Sequence, residues 1–172
     1  MSTAVGYVFD FEHDHDTAPR HLRDLLGGKG ANLAELSSVV GAPVPPGFTI
    51  STGACRAVLE HDRWPEGLAE EIAAGIARLE RRVGRRFGDP ADPLLVSVRS
   101  GAPVSMPGML DTVLDLGLGP AAVEGLAKTH GDDRFALDAR RRFLSQFAEV
   151  VLGIDGASVE ADLAEARRRA GV

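Results

Sequence analysis

A single cysteine, Cys55, stands in a chain of 172 residues, which excludes an internal disulfide framework and fits a reducing, cytoplasmic compartment. No stretch approaches the ~18 consecutive apolar residues that mark a membrane-spanning helix. The first residues carry no basic region leading into an apolar segment, so no signal peptide is read there. Cationic excess is missing too. The net charge of −6 and a pI near 5.3 argue against a general binder of nucleic acid or anionic membrane. They leave room for a local basic pocket that takes a nucleotide. No internal repeat or low-complexity tract occurs. Metal chemistry also has little to build on. His13 and His15 flank Asp14, but no further ligand cluster follows, and a solvated loop is the preferred reading. Cys55 sits among small residues of an expected helix and reads as a core thiol. What is present, 44% hydrophobic and 26% charged residues, is an ordinary soluble composition, long enough for one domain over residues 1–172.

Taken in order, Val5 to Phe11 alternates apolar and small or polar residues, which predicts a first strand. Gly27, Gly28 and Gly30 then surround Lys29. Leu33, Leu36 and Val40 follow at helical spacing and are expected to face inward. Glycines let the backbone turn and approach a ligand, and a helix start favours an anion. The spacing is not that of a Walker A loop, so GGKG alone reads better as a turn with an exposed lysine. Pro43, Pro45 and Pro46 hold the next stretch extended into a strand at Phe48 to Ser51, and Gly53 to Asp62 suits a short helix. Leu68, Ile72, Ile76, Leu79, Val83 and Phe87 mark the inner face of a helix over Glu66–Phe87. Its other face, including Glu71, Arg78 and Arg82, reads as solvated.

The stretch from Leu94 to Leu118 is the centre of the chain. Leu94, Leu95, Val96 and Val98 predict a short buried strand, and Arg99 stands where it ends. A guanidinium beside a glycine loop suits a phosphate or carboxylate clamp, because Arg offers planar bidentate donors. A structural ion pair is an equal reading of the same residue. Beyond the loop, Pro120 opens a helix at Ala121–Thr129, and Asp132 or Asp133 caps the next one. There Phe135, Ala139, Phe143 and Phe147 share a face, with Arg140, Arg141 and Arg142 outward. A last helix over Val159–Arg169 turns Val159, Leu163 and Ala166 inward. This order of strands and helices is an α/β or α+β arrangement.

Three motifs in sequence, GGKGANLAEL with PVPPGFTIST, SVRSGAPVSMPGMLDTVLDLGL, and DDRFALDARRRFLSQFAEVVLGI, resemble the pyruvate, phosphate dikinase family. The likeness runs from about Leu25 to Ile154. It implies the first lobe of an ATP-grasp-like nucleotide-binding domain, a mixed sheet with packed helices. It also implies the family reaction, ATP + phosphate + pyruvate ⇌ AMP + pyrophosphate + phosphoenolpyruvate. By position, Lys29 and Arg99 look like the ATP-phosphate contacts, with Arg99 the catalytic one. Ser105, Met106, Pro107, Gly108 and Met109, with Asp111 and Thr112, resemble the family's loop over the phosphates. Asp115 stands where the family commonly has asparagine.

The resemblance covers only one lobe. A second lobe, which would supply the ligands of the Mg²⁺ that accompanies ATP, has no counterpart here, and no metal ligand is assigned in this chain. None of the histidines has the context of the family's phosphohistidine, and the barrel for phosphoenolpyruvate and pyruvate is also absent. The implied ligands are ATP or AMP and phosphate, with a second polypeptide as a partner to complete the reaction. The alternatives are a stand-alone non-catalytic nucleotide-binding or regulatory module, or a remnant that binds another protein.

Overall fold

Among the residues that the computed structural model describes, 6–101 and 112–171, the backbone falls into two compact units. One is built mainly from residues up to Gly84, the other from Arg85–Ser100 and residues 112–171.

In the first unit, β1 (Val8–Asp10) pairs antiparallel with β2 (Phe48–Ile50), with Phe9 opposite Thr49. The strand predicted over Val5 to Phe11 is thus shorter than its alternation suggests. Between the strands runs α1 (Arg23–Ala34), which continues as a π-helical turn over Glu35–Val39. The extra residue in that turn shifts the helical phase. Ahead of that turn, Leu26, Ala31 and Ala34 form the buried face, with Phe9, Leu22 and Leu25 packed on it. Leu36 and Val40, expected inward, are exposed, and only Leu33 of the predicted three is half-buried.

Ser51 caps α2 (Thr52–His61), its hydroxyl accepting from the Ala54 amide. This matches the predicted helix, but Cys55 lies on its exposed side and is no core thiol. α3 (Leu68–Val83) buries Leu68, Gly75 and Leu79. Gly75 lets the helix close on β2, because a Cβ there would lie 3.1 Å from the Phe48 ring. The helix stops earlier than its apolar pattern implies. Gly84, with φ of 77°, ends it in the left-handed conformation that glycine adopts readily, so Phe87 belongs to a strand.

The charged face of α3 is not simply solvated. The Glu71 carboxylate accepts from the amides of Tyr7 and Val8 at 2.7 and 2.9 Å. Arg78 donates twice to Asp10, at 2.7 and 3.0 Å, and Arg82 donates to Glu12. These groups hold β1 and the residues after it against the helix.

The second unit holds β3 (Arg86–Phe87) parallel to β4 (Pro93–Leu94), and β5 (Val96–Arg99) antiparallel to β6 (Thr112–Leu116). The strands of the described residues thus make three two-stranded ladders; the helices and these ladders give an α+β fold. The run from Leu94 to Val98 is broken at Leu95, and only Leu94 of it is fully buried, while Val98 is exposed.

Pro120 begins α4 (Pro120–His130), where a missing amide costs nothing. Asp132 caps α5 (Asp133–Val150), its carboxylate accepting from the Phe135 amide at 2.9 Å. Within α5 the buried residue is Ala136, whereas Phe135 is exposed. α6 (Gly156–Ala170) turns Val159 and Leu163 partly inward and leaves Ala166 exposed.

Candidate functional site

The glycine-lysine segment is not the simple turn its composition suggests. It lies inside α1, and the turn is confined to Gly27, whose φ of 67° and ψ of 166° are not helical. This region is essentially reserved for glycine. Beyond it the helix resumes, so Gly28, Lys29 and Gly30 form the first turn after the kink. Lys29 is half-buried there. Gly30 serves packing: a Cβ on it would come within 2.7 Å of the Thr49 hydroxyl on β2. One glycine sets the kink and another lets the restarted helix lie on the β1–β2 ladder. Between them they fix where the ammonium-bearing residue stands.

In the second unit, Arg99 ends β5 and pairs in register with Thr112, the first residue of β6. Directly opposed residues of an antiparallel ladder project to the same face. Two predicted site residues are therefore brought together, with Arg99 exposed and Thr112 half-buried. Between Val96 and Val98 the register shifts, an irregularity that increases local twist near the arginine. Ser105, Met106, Pro107, Gly108, Met109 and Asp111 lie outside the described residues.

Asp115 adopts φ of 57°. Among residues with a side chain, asparagine and aspartate are those best suited to this conformation. The backbone at this position thus accepts aspartate as readily as the asparagine that the motif leads one to expect.

Two side chains of α5 hold β6 and the residues just after it, and sequence reasoning missed both. Gln146 Oε1 accepts from the Leu114 amide at 2.8 Å. Arg140, expected to be solvated, donates to the Leu118 carbonyl and lies 5.2 Å from the centre of the Phe143 ring. A polar residue that reaches across to a strand's backbone leaves no periodic signal, so neither was recognisable. Arg141 and Arg142 do point outward. They pair with Asp138 at 2.9 and 2.8 Å, and the hydrogen bond from Arg141 holds that carboxyl below its usual range.

Near β1, His13 and His15 meet edge-on with ring centres 4.5 Å apart, and Phe9 lies 5.3 and 5.5 Å from them. Burial pushes the His15 imidazole pKa down, and its Nε2 is buried without a hydrogen-bond partner among the described residues. No group of three or more His, Cys, Asp or Glu side chains suited to a metal is present among the described residues.

Residues 23–69 match the family model of the pyruvate phosphate dikinase AMP/ATP-binding domain. The match takes in the kinked helix with Lys29, β2 and α2. Similarity to curated proteins extends much further. The chain is 50% identical over 172 residues, 99% of its length, to the chloroplastic pyruvate, phosphate dikinase of Mesembryanthemum crystallinum. It is 53% identical over 166 residues, 96% of its length, to the pyruvate, phosphate dikinase of Rhizobium meliloti.

The chain is a relative of the pyruvate, phosphate dikinases. To that of Giardia intestinalis it is 47% identical over 172 residues, 99% of its length. The aligned region makes up 18% of the Mesembryanthemum and Rhizobium dikinases and 19% of the Giardia one. The chain therefore spans about a fifth of the length of the curated relatives it matches. No helix among the described residues is long and apolar enough to cross a membrane.

Proposed function

We propose that this chain is the ATP-binding part of a pyruvate, phosphate dikinase-like phosphotransferase. The observation that carries this reading is the match to an AMP/ATP-binding domain over residues 23–69, laid on a helix that restarts just before Lys29. The start of the restarted helical segment carries positive dipole, and a lysine in that turn adds a formal charge toward a phosphate. Arg99 supplies a second cation, with Thr112 beside it as a hydroxyl donor. Phosphoryl transfer relies on positioning and on neutralising charge, which is what such groups provide. Ser105, Met106, Pro107, Gly108, Met109 and Asp111 belong to this reading as the loop over the phosphates.

In the same reading both units form one domain, the first lobe of an ATP-grasp-like site, in a cytoplasmic protein. The overall reaction, ATP + phosphate + pyruvate to AMP + pyrophosphate + phosphoenolpyruvate, requires the rest of a dikinase, in this polypeptide or a second one. The described residues do not offer a donor set for Mg²⁺. Its ligands are assigned to that remainder, and no step is assigned to the metal.

The test is a calorimetric titration with ATP, with and without Mg²⁺, of this chain and of its Lys29→Ala and Arg99→Ala variants. Saturable binding that both variants lose supports the proposal. A folded chain that takes up no ATP overturns it.

A further inference from the structure

α5 carries two apolar stripes. The first, Ala136, Phe143 and Phe147, is buried or half-buried. The second, Leu137, Leu144 and Ala148, recurs at steps of seven and four residues, one helical face, and Leu152 just past the end of the helix extends the row. A helix apolar on two sides belongs between two layers. Here the second layer is incomplete. α6 brings Val159 and Leu163 alongside, and the two helices leave a groove of about 590 Å³. Leu137 and Leu152 remain 63% and 62% exposed, and Leu144 48%. Isolated exposed leucines need no explanation, but a contiguous row along a groove marks an interaction surface.

The length of the relatives identifies what covers it. The Rhizobium dikinase aligns with 96% of this chain, the α5 stripe included, yet the aligned part is 18% of that enzyme. We propose that the α5–α6 groove seats an apolar segment from the four-fifths of a dikinase that this chain does not span, docked between the two helices. The segment lies in the same polypeptide or in a second one; the chemistry of the contact, leucine-rich helix face against apolar side chains, is the same. The proposal rests on the dikinase reading above.

The experiment grafts this chain into the Rhizobium enzyme in place of the segment it matches and compares the graft with the isolated chain by hydroxyl-radical footprinting. Leu137, Leu144 and Leu152 should label strongly in the isolated chain and at least ~10-fold less in the graft. Leu144→Glu and Leu152→Glu should leave the melting temperature of the isolated chain unchanged and lower that of the graft. Equal labelling in both proteins overturns the proposal. So does protection in the isolated chain, whether or not sedimentation shows a second copy as the cover. As a measurement that does not depend on the graft, this chain is mixed with the Rhizobium polypeptide lacking the segment. A complex abolished by Leu144→Glu supports the proposal, and its absence overturns it. ATP binding by the isolated chain is scored separately, so loss of the nucleotide reading leaves the docking result interpretable.

Discussion

Arg99 and Thr112 stand directly opposite each other across the β5–β6 ladder. The guanidinium is exposed, so its removal leaves no buried charge behind. Arg99→Ala should therefore change folding stability by no more than ~0.5 kcal/mol, as surface substitutions do. A hydrogen bond to a charged group contributes ~1.5–3 kcal/mol, so ATP binding should weaken at least ~10-fold. Thermal melts beside calorimetric titrations read the two effects apart. A large fall in melting temperature would assign Arg99 a structural role instead.

Gly27 supplies the kink that lets α1 restart before Lys29. With φ of 67° and ψ of 166°, it occupies backbone space that costs a side-chain-bearing residue ~1–3 kcal/mol. Gly27→Ala should destabilise the chain by about that amount in urea titrations. It should also weaken ATP binding more than Gly41→Ala does. Gly41 likewise has positive φ, at 69°, but no heavy atom within 4 Å of the added Cβ.

Gly125 lies within α4, where alanine ordinarily stabilises a helix by ~1 kcal/mol over glycine. Here the sign should invert. A Cβ at this position would lie 2.1 Å from the Pro90 carbonyl oxygen and 2.6 Å from that of Ala91. Both obstacles are backbone, so α4 must move away from the residues leading into β4. Gly125→Ala should lower the melting temperature, and a rise would show that the helix shifts without cost.

His15 gives the chain a pH dependence with a definite direction. Burial, aided by neighbouring His13 and opposed by Asp14 and Asp16, lowers its pKa from 6.5 in the folded state. The unfolded chain then binds more protons as the pH falls below that value. The stability contributed by neutral His15 is fully present above about pH 6.5 and is lost as acid is added. Urea titrations at pH 7.5 and 5.5 should show the chain weaker at the lower value. His15→Phe, which keeps a ring against Phe9, should shrink the difference; an unchanged slope would assign the effect to other groups.

Much of the fold was legible because local chemistry dictates it. Pro120 and Asp132 mark helix starts by a missing amide and a capping carboxylate, and α4 and α5 begin where they say; Ser51, the cap of α2, reads in the sequence as the end of a strand instead. The inner face of α3 followed from its apolar spacing. What failed has physical causes. The π turn at Glu35–Val39 adds a residue to the helical repeat, so the apolar phase read from Leu33 to Val40 points the wrong way. Apolar spacing continued to Phe87 across Gly84, although glycine in a left-handed conformation outranks hydrophobic rhythm. Glu71, Arg78 and Arg140 looked solvated because a sequence cannot show which backbone or carboxylate a long polar chain will reach. At the candidate site, Lys29, Arg99 and Thr112 were named from motifs alone. Their setting, a kinked helix and a two-residue cross-strand pair, rests on a ψ angle and a register that no motif encodes.

Alanine dominates the most buried positions. Ala31 and Ala136 are 0% exposed, as is Leu118, and Ala54 and Ala122 are nearly so. Gly30, Gly47, Gly75 and Gly125 sit where even one more carbon meets a neighbour at 3.1 Å or less. Such a chain has little to lose at these sites by truncation and much to lose by growth. Its evolutionary drift is therefore one-sided. Substitutions that add a methyl group at these contacts should be purged far more often than those that remove one, so the interior can loosen over time but has almost no freedom to thicken.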